Sequence, residues 1–178
     1  MIGLKRGTVK LVPHNSKWAE LFEEEKQILK KTFGDTILAI EHIGSTAVPG
    51  IPAKPIIDIN VGVESLDVAQ SMKEKFEKLG YEHRPFVPGK TKDDLKWQEL
   101  YVKGPEARRT HYVHVTVLGN NHWENDLLFR DYLRKNPERA KQYAELKEQL
   151  AQNYADDRGT YTKNKGQFIN ATLEMARK

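Results

Sequence analysis

The chain has 178 residues, 38% hydrophobic and 30% charged, with Lys+Arg 29 against Asp+Glu 25 and a formal net charge of +4; this predicts one folded domain that buries about 70% of its unfolded surface. Cysteine is absent, which excludes disulfides, thiolate metal sites and cysteine nucleophiles. No apolar run reaches the roughly 18 residues that a membrane helix needs, and Met1 to Leu11 builds no signal-peptide core, so a soluble cytoplasmic protein is expected, one whose mild basic excess does not predict nucleic acid but admits an anionic ligand.

Asn15-Ser16 precede a segment in which Trp18, Leu21, Phe22, Ile28, Leu29 and Phe33 fall at helical spacing, predicting an amphipathic helix stopped by Gly34. Glu23, Glu24 and Glu25 read as its solvated, dipole-matched face. Thr36 to Ile43 predicts a first strand ending at Gly44-Ser45, and Pro55 to Val63 a second, with Ile57, Ile59, Val61 and Val63 on one face and Lys54, Ile56, Asp58 and Asn60 on the other. Ser65 or Asp67 opens a helix carrying Val68, Met72, Phe76 and Leu79 and closed by Gly80. Pro85 to Leu95 is a long Pro/Gly/Lys/Asp loop with the character of a lid.

Trp97 to Lys103 and Thr110 to Leu118 alternate and predict an antiparallel pair joined by 104–109. Beyond Leu118 only helices are expected: about Asn121 to Lys135, then one opened by Asn136-Pro137 and carrying Ala140, Tyr143, Lys147 and Leu150, then about Asp156 to Ala176. Strands first and helices after predict an α+β fold, with a mixed sheet in 1–118 and a helical layer, 119–178, packed on it.

The densest chemistry lies between Glu41 and Val61. A Gly beside a Ser at 44–45 removes the side chain that blocks a phosphate from backbone N–H groups, although a plain turn reads the same way. Asp58 and Asn60, two apart on one strand face, aim into one site. A charge on a buried strand needs a reason, either a ligand role or a salt bridge to Lys54. By strand rise Lys54 lies about 13 Å from Asp58, which favours the ligand role.

The stretch Glu41-His42-Ile43-Gly44-Ser45-Thr46-Ala47-Val48-Pro49-Gly50, followed by Ala53-Lys54-Pro55-Ile56-Ile57-Asp58-Ile59, resembles the GrpB family, also called UPF0157. Leu11-Val12-Pro13, Trp18, Phe22, His111 to Val115, Trp123, Phe129 to Leu133, Tyr143, Leu146-Lys147, Tyr161-Thr162-Lys163 and Phe168 extend the resemblance along nearly the whole chain. It implies a nucleotidyltransferase-like mixed sheet with an N-terminal helix and a C-terminal helical layer. It also implies a nucleotide or other phosphorylated ligand, Mg2+, and a link to coenzyme A biosynthesis, since some relatives are fused to dephospho-CoA kinase.

Mapped onto that superfamily pattern, Gly44 and Ser45 form the phosphate-cradling turn and Asp58 is the first metal-binding carboxylate. Asn60 stands at the second carboxylate position, and Thr110 to Leu118 holds no acid for a third. Glu41 is the nearest other acid by sequence and is the expected second metal ligand. His114 shares a face with Thr110, Tyr112 and Thr116 and is expected to partner Asp58 in catalysis, a sheet-face histidine bonded to its neighbours being the plainer alternative. His42, Lys54, Asn60, Arg109 and Lys165 complete the expected substrate-binding set, with Arg158 and Thr162 on the helical face of Lys165. The function expected is that of a nucleotidyltransferase-like protein that binds a nucleotide or phosphorylated ligand, with metal-dependent nucleotidyl transfer as the reaction it would carry. The alternative, favoured by Asn60, is a catalytically impaired nucleotide- or CoA-related binding or regulatory module.

Overall fold

The computed structural model describes residues 2–84 and 98–178. The expected lid at Pro85 to Leu95 and the strand start at Trp97 lie outside these residues.

The fold is mixed α+β. Helix α1 (Lys17–Phe33) comes first. Strands β1 (Ala39–Ile43) and β2 (Ile57–Val63) follow, then two short helices, α2 (Leu66–Ser71) and α3 (Lys73–Lys78). Strands β3 (Tyr81–His83), β4 (Gln98–Lys103) and β5 (His111–Val117) complete the sheet. Four helices close the chain: α4 (Asn121–Lys135), α5 (Pro137–Asn153), α6 (Arg158–Asn164) and α7 (Gly166–Ala176).

The strand order is β1-β2-β5-β4-β3. β2 and β5 run parallel, with Asp58 opposite Tyr112 and Asn60 opposite His114, and the remaining neighbours are antiparallel. The alternation expected of β2 is observed: Ile57, Ile59, Val61 and Val63 are fully buried, together with Val113 and Val115 of β5, against Trp18, Phe22, Leu29 and Phe33 of α1 and Ala69, Met72 and Phe76 of the α2–α3 pair. Each such side chain contributes roughly 1.5–3 kcal/mol by leaving water. This face is the apolar core. The opposite face carries Asp58, Asn60, Tyr112, His114 and Thr116 and turns toward the C-terminal helices.

Several boundaries differ from the sequence expectation. Gly34–Thr36 form a 3-10 turn, so β1 starts at Ala39. β2 starts at Ile57 and not at Pro55, because Pro has no N–H for a sheet ladder. Lys54 therefore lies in the preceding loop, just after the isolated bridge between Val12 and Ala53. The 13 Å separation from Asp58 inferred from strand rise does not apply. The helix from Asp156 is two helices that meet at Lys165. Glu25 is not solvated: on the buried face of α1, it accepts from Tyr81 Oη at 2.7 Å and from Lys103 Nζ at 2.7 and 2.8 Å. A buried carboxylate survives there because both donors arrive from neighbouring strands.

Candidate functional site

The polar sheet face, the loop after β1 and helices α4 to α7 enclose a cleft. Its inner recess, about 530 Å³ with its open mouth, is lined by Gly44, Ser45, Thr46, Val48, Lys54, Asp58, Phe129, Leu133, Tyr143, Lys147, Tyr161 and Lys165. Gly44 ends β1 with φ +70°, and a Cβ built there would stand 2.7 Å from Asp58 Oδ2. Glycine is thus required twice, for a backbone region that L residues rarely adopt and for the close approach of the carboxylate. The chain then turns through Ser45–Ala47. The Ser45 hydroxyl faces the Tyr143 phenol as a hydrogen-bonding neighbour.

Three lysines meet one carboxylate in this recess. Lys147, on the buried face of α5 between Tyr143 and Leu150, is 1% exposed. It donates to the Pro52 carbonyl at 2.5 Å and lies 4.8 Å from the Tyr143 ring centroid. Lys54 and Lys165 stand 5.3 and 4.7 Å from the Tyr161 ring centroid. Neither ammonium group makes a hydrogen bond or ion pair with any described residue. Arg158 packs over Tyr112 at 4.7 Å and donates to its hydroxyl at 2.8 Å. Asp58 likewise has no direct ion pair among the described residues.

Burial and mutual repulsion show in the acidities. Burial, then the Lys165 charge, pulls Lys147 down to about 7. Burial pulls Lys165 down to about 8 despite Asp58. Lys54 lies well below the ordinary lysine range through burial, then Arg158 and Lys165. An anion placed among them removes that repulsion.

The second recess continues past Asp58 and is lined by Ile43, Gly44, Asp58, Gln98, His114, His122, Asn125, Asp126, Phe129, Tyr143, Ile169 and Leu173. Gly44, Asp58, Phe129 and Tyr143 belong to both recesses.

The cleft thus brings together Gly44, Ser45, Lys54, Asp58 and Lys165 of the expected residues, with His114 entering from the second recess. Others are placed elsewhere. His114 Nδ1 is 2.9 Å from Gln98 Oε1. Asn60 is fully buried beneath the cleft, accepting from Thr116 Oγ1 at 3.0 Å and donating to Asp126 Oδ2 at 3.2 Å. His42 points to the α1 side, stacked on Phe22 at 4.8 Å with Nε2 3.0 Å from Thr46 Oγ1; it pins the turn. Burial, then Arg134 and Arg130, lower it to about 3. Arg109 is 2% exposed, donates to Gly104 O at 2.6 Å, pairs with Glu82 and lines neither recess.

Glu41 accepts from Arg130 at 2.6 Å, and the same guanidinium holds the His42 carbonyl at 2.9 Å and Asp131 at 2.7 Å. Glu41 is thereby neutralised and lines neither recess. Of the two expected magnesium ligands only Asp58 lines the cleft, where it stands among lysines, and among the described residues no three His, Asp or Glu side chains form a metal-holding group.

Lys147, Tyr143 and Tyr161 line the cleft and were not assigned to the site by motif reasoning. For Lys147 the signal was present, since a lysine at an apolar helical position between Tyr143 and Leu150 requires a reason to be buried.

Comparison with known proteins places these features in a family. Residues 8–175 match the model of the GrpB protein family. The chain is 40% identical to the glutamate-rich protein GrpB of Alkalihalophilus pseudofirmus, covering 97% of this chain and 98% of that one. It is 41% identical to the UPF0157 protein YqkA of Bacillus subtilis, over 96% of this chain but only 48% of that protein. A dephospho-CoA kinase of Mycobacterium leprae is 32% identical over 79% of this chain and 40% of its own length. The crystal structure of the conserved protein GrpB from Enterococcus faecalis superimposes with a TM-score of 0.82 at 38% identity, covering 94% of this chain and 96% of that one. A family match over nearly all of the chain, supported by the full-length likenesses to the two GrpB proteins, establishes that the chain belongs to the GrpB family.

Proposed function

We propose that the cleft binds a phosphorylated small molecule, nucleotides included, through a phosphate lodged among Lys54, Lys147 and Lys165, with Arg158 reinforcing the field and the Gly44-Ser45 turn against it. The observation that carries this reading is the pair Lys54 and Lys165, each backed by the Tyr161 ring and lacking any acceptor among the described residues. Lys54 and Lys165 are half-buried; cations drawn out of water are retained where they are paired, and a phosphate offers oxygens enough for several ammonium groups. Fixed cations supply the charge that a metal ion supplies elsewhere, so the binding is metal-independent.

Metal-dependent nucleotidyl transfer is the second reading. What favours it is Asp126, which lines the second recess beside Asp58 and supplies, from α4, an acid close to the position where Asn60 stands in the strand. The kinship with proteins named dephospho-CoA kinase makes dephospho-CoA and coenzyme A ligands to try early.

A thermal-shift panel separates the two. Inorganic phosphate, pyrophosphate, the four nucleoside triphosphates, dephospho-CoA and coenzyme A are each added with and without Mg2+ to the wild type and to Lys165→Ala. A ligand at about one hundred times its dissociation constant adds roughly 2.7 kcal/mol of stability. Binding without metal that is lost in Lys165→Ala supports the proposal; stabilisation only by a triphosphate with Mg2+ supports transfer and contradicts it.

A further inference from the structure

We infer that the cleft captures a phosphorylated aldehyde or ketone as an imine on Lys54, with the phosphate held by Lys165 and Lys147. This rests on the phosphate reading of the lysine recess and adds a covalent step to it.

Three observations single out Lys54. First, it stands where the charges of the recess meet: Arg158, Lys165, Lys147 and Asp58 all act on it electrostatically. Like charges crowded out of water are relieved when one of them gives up its proton, and the unprotonated amine is a nucleophile. Burial, then Arg158 and Lys165, hold Lys54 well below the ordinary lysine range. Second, the Lys54 amine is half-buried, lines the recess and is backed only by the Tyr161 ring at 5.3 Å, so its lone pair is open to a ligand. Lys147, by contrast, is 1% exposed and already donates to the Pro52 carbonyl at 2.5 Å. Third, the backbone that carries Lys54 is fixed on both sides. Ala53 exchanges hydrogen bonds with Val12 at 2.9 and 3.0 Å, and the Pro55 carbonyl accepts from Gly3 N–H at 2.8 Å.

The step balances without a change of oxidation state. The Lys54 nitrogen adds to the carbonyl carbon, the π pair moves onto oxygen, and a proton passes from nitrogen to that oxygen to give a carbinolamine. The nitrogen lone pair then expels the hydroxyl, which takes a proton from the Lys165 ammonium and leaves as water; solvent returns the proton to Lys165. One amine, one carbonyl and one proton thus give one protonated imine and one water. That imine is itself a cation, so the charge that the phosphate and Asp58 favour at Lys54 is supplied by the product.

The probes are pyridoxal phosphate, pyridoxal, which lacks the phosphate, and pyridoxine phosphate, which lacks the aldehyde. The aldehydes are added in equimolar amount to the wild type in EDTA and reduced with borohydride, which converts an imine to a stable secondary amine. Peptide mass mapping of the wild type locates the adduct whether or not Lys54→Met folds. The expected result is one adduct per chain, on Lys54, at least tenfold more abundant with pyridoxal phosphate than with pyridoxal and suppressed by excess inorganic phosphate. Lys54→Met is expected to lose the adduct while still binding pyridoxine phosphate in calorimetric titration; Lys165→Ala is expected to lose both. An adduct spread over exposed lysines, one placed on Lys147 or Lys165, or equal labelling by pyridoxal overturns the inference. If pyridoxine phosphate binds and no adduct forms, only the inference falls; if neither it nor inorganic phosphate binds, the phosphate reading falls with it.

Discussion

Gly44 and Asp58 are fitted to one another: a methyl group on Gly44 would stand 2.7 Å from the Asp58 carboxylate oxygen, on a backbone held at φ +70°. The turn that opens the cleft and the acid at its centre are therefore one structural unit. Gly44→Ala combines left-handed strain with a steric clash and is expected to destabilise by about 2 kcal/mol in urea unfolding. Adding Asp58→Ala relieves the clash but not the strain, so the double variant recovers part of the loss. Additive losses would show that the two residues are independent.

Arg130 ties β1 to α4 through Glu41, the His42 carbonyl and Asp131. Replacing it by Met strands a buried carbonyl and leaves Glu41 without its cation, an expected cost of about 3–5 kcal/mol. Glu41→Gln keeps a hydrogen-bond acceptor at a half-exposed position and costs about 1 kcal/mol or less. Chemical denaturation of both variants reads the difference, and an equally severe Glu41→Gln would contradict this assignment of roles.

The cleft lysines predict a pH dependence of stability in the ligand-free protein. Lys147 and Lys165 lose their protons near 7 and 8 when folded, against an ordinary value of 10.5. Between those values and 10.5 the unfolded chain holds more protons, so stability rises as pH rises through that window. Lys147→Met removes one of these contributions and flattens the rise in melting temperature. A slope unchanged by this variant would place the ammonium in water.

His42 acts over a different range. Burial lowers it from 6.5 to about 3, so below 6.5 the unfolded chain takes a proton that the folded one refuses. Its contribution is fully present above 6.5 and is lost as pH falls toward 3, at about 1.4 kcal/mol per pH unit. His42→Gln, which retains an amide to reach Thr46, is expected to show a shallower acid limb in equilibrium unfolding. An identical limb in both proteins would count against a buried neutral imidazole.

Much of the sheet was legible because alternation is a direct consequence of strand geometry: the Ile57, Ile59, Val61, Val63 series could face only one way. Helix α4 and the Asn136-Pro137 start of α5 were legible through their end signals. The break at Lys165 carried only Gly166 as a cue, yet it sets the position from which Lys165 enters the cleft. Glu25 and Lys147 misled in the same way, since each is a charged residue at an apolar helical position and its partners come from distant segments. The motif from Gly44 to Asp58 pointed to the cleft, and the loop between them placed Lys54 there through packing that no local pattern encodes. Glu41 was chosen by proximity in sequence; its Arg130 partner lies 89 positions away.

Phosphate binding among the cleft lysines is tested by calorimetric titration of inorganic phosphate into the metal-free protein in EDTA, in two buffers of different ionisation enthalpy near pH 8. Binding is expected to be accompanied by proton uptake, as the phosphate restores charge to the depressed lysines, with affinity falling at higher pH and at least tenfold in Lys165→Ala. No binding without a divalent cation, or binding with neither proton uptake nor sensitivity to Lys165, would contradict it.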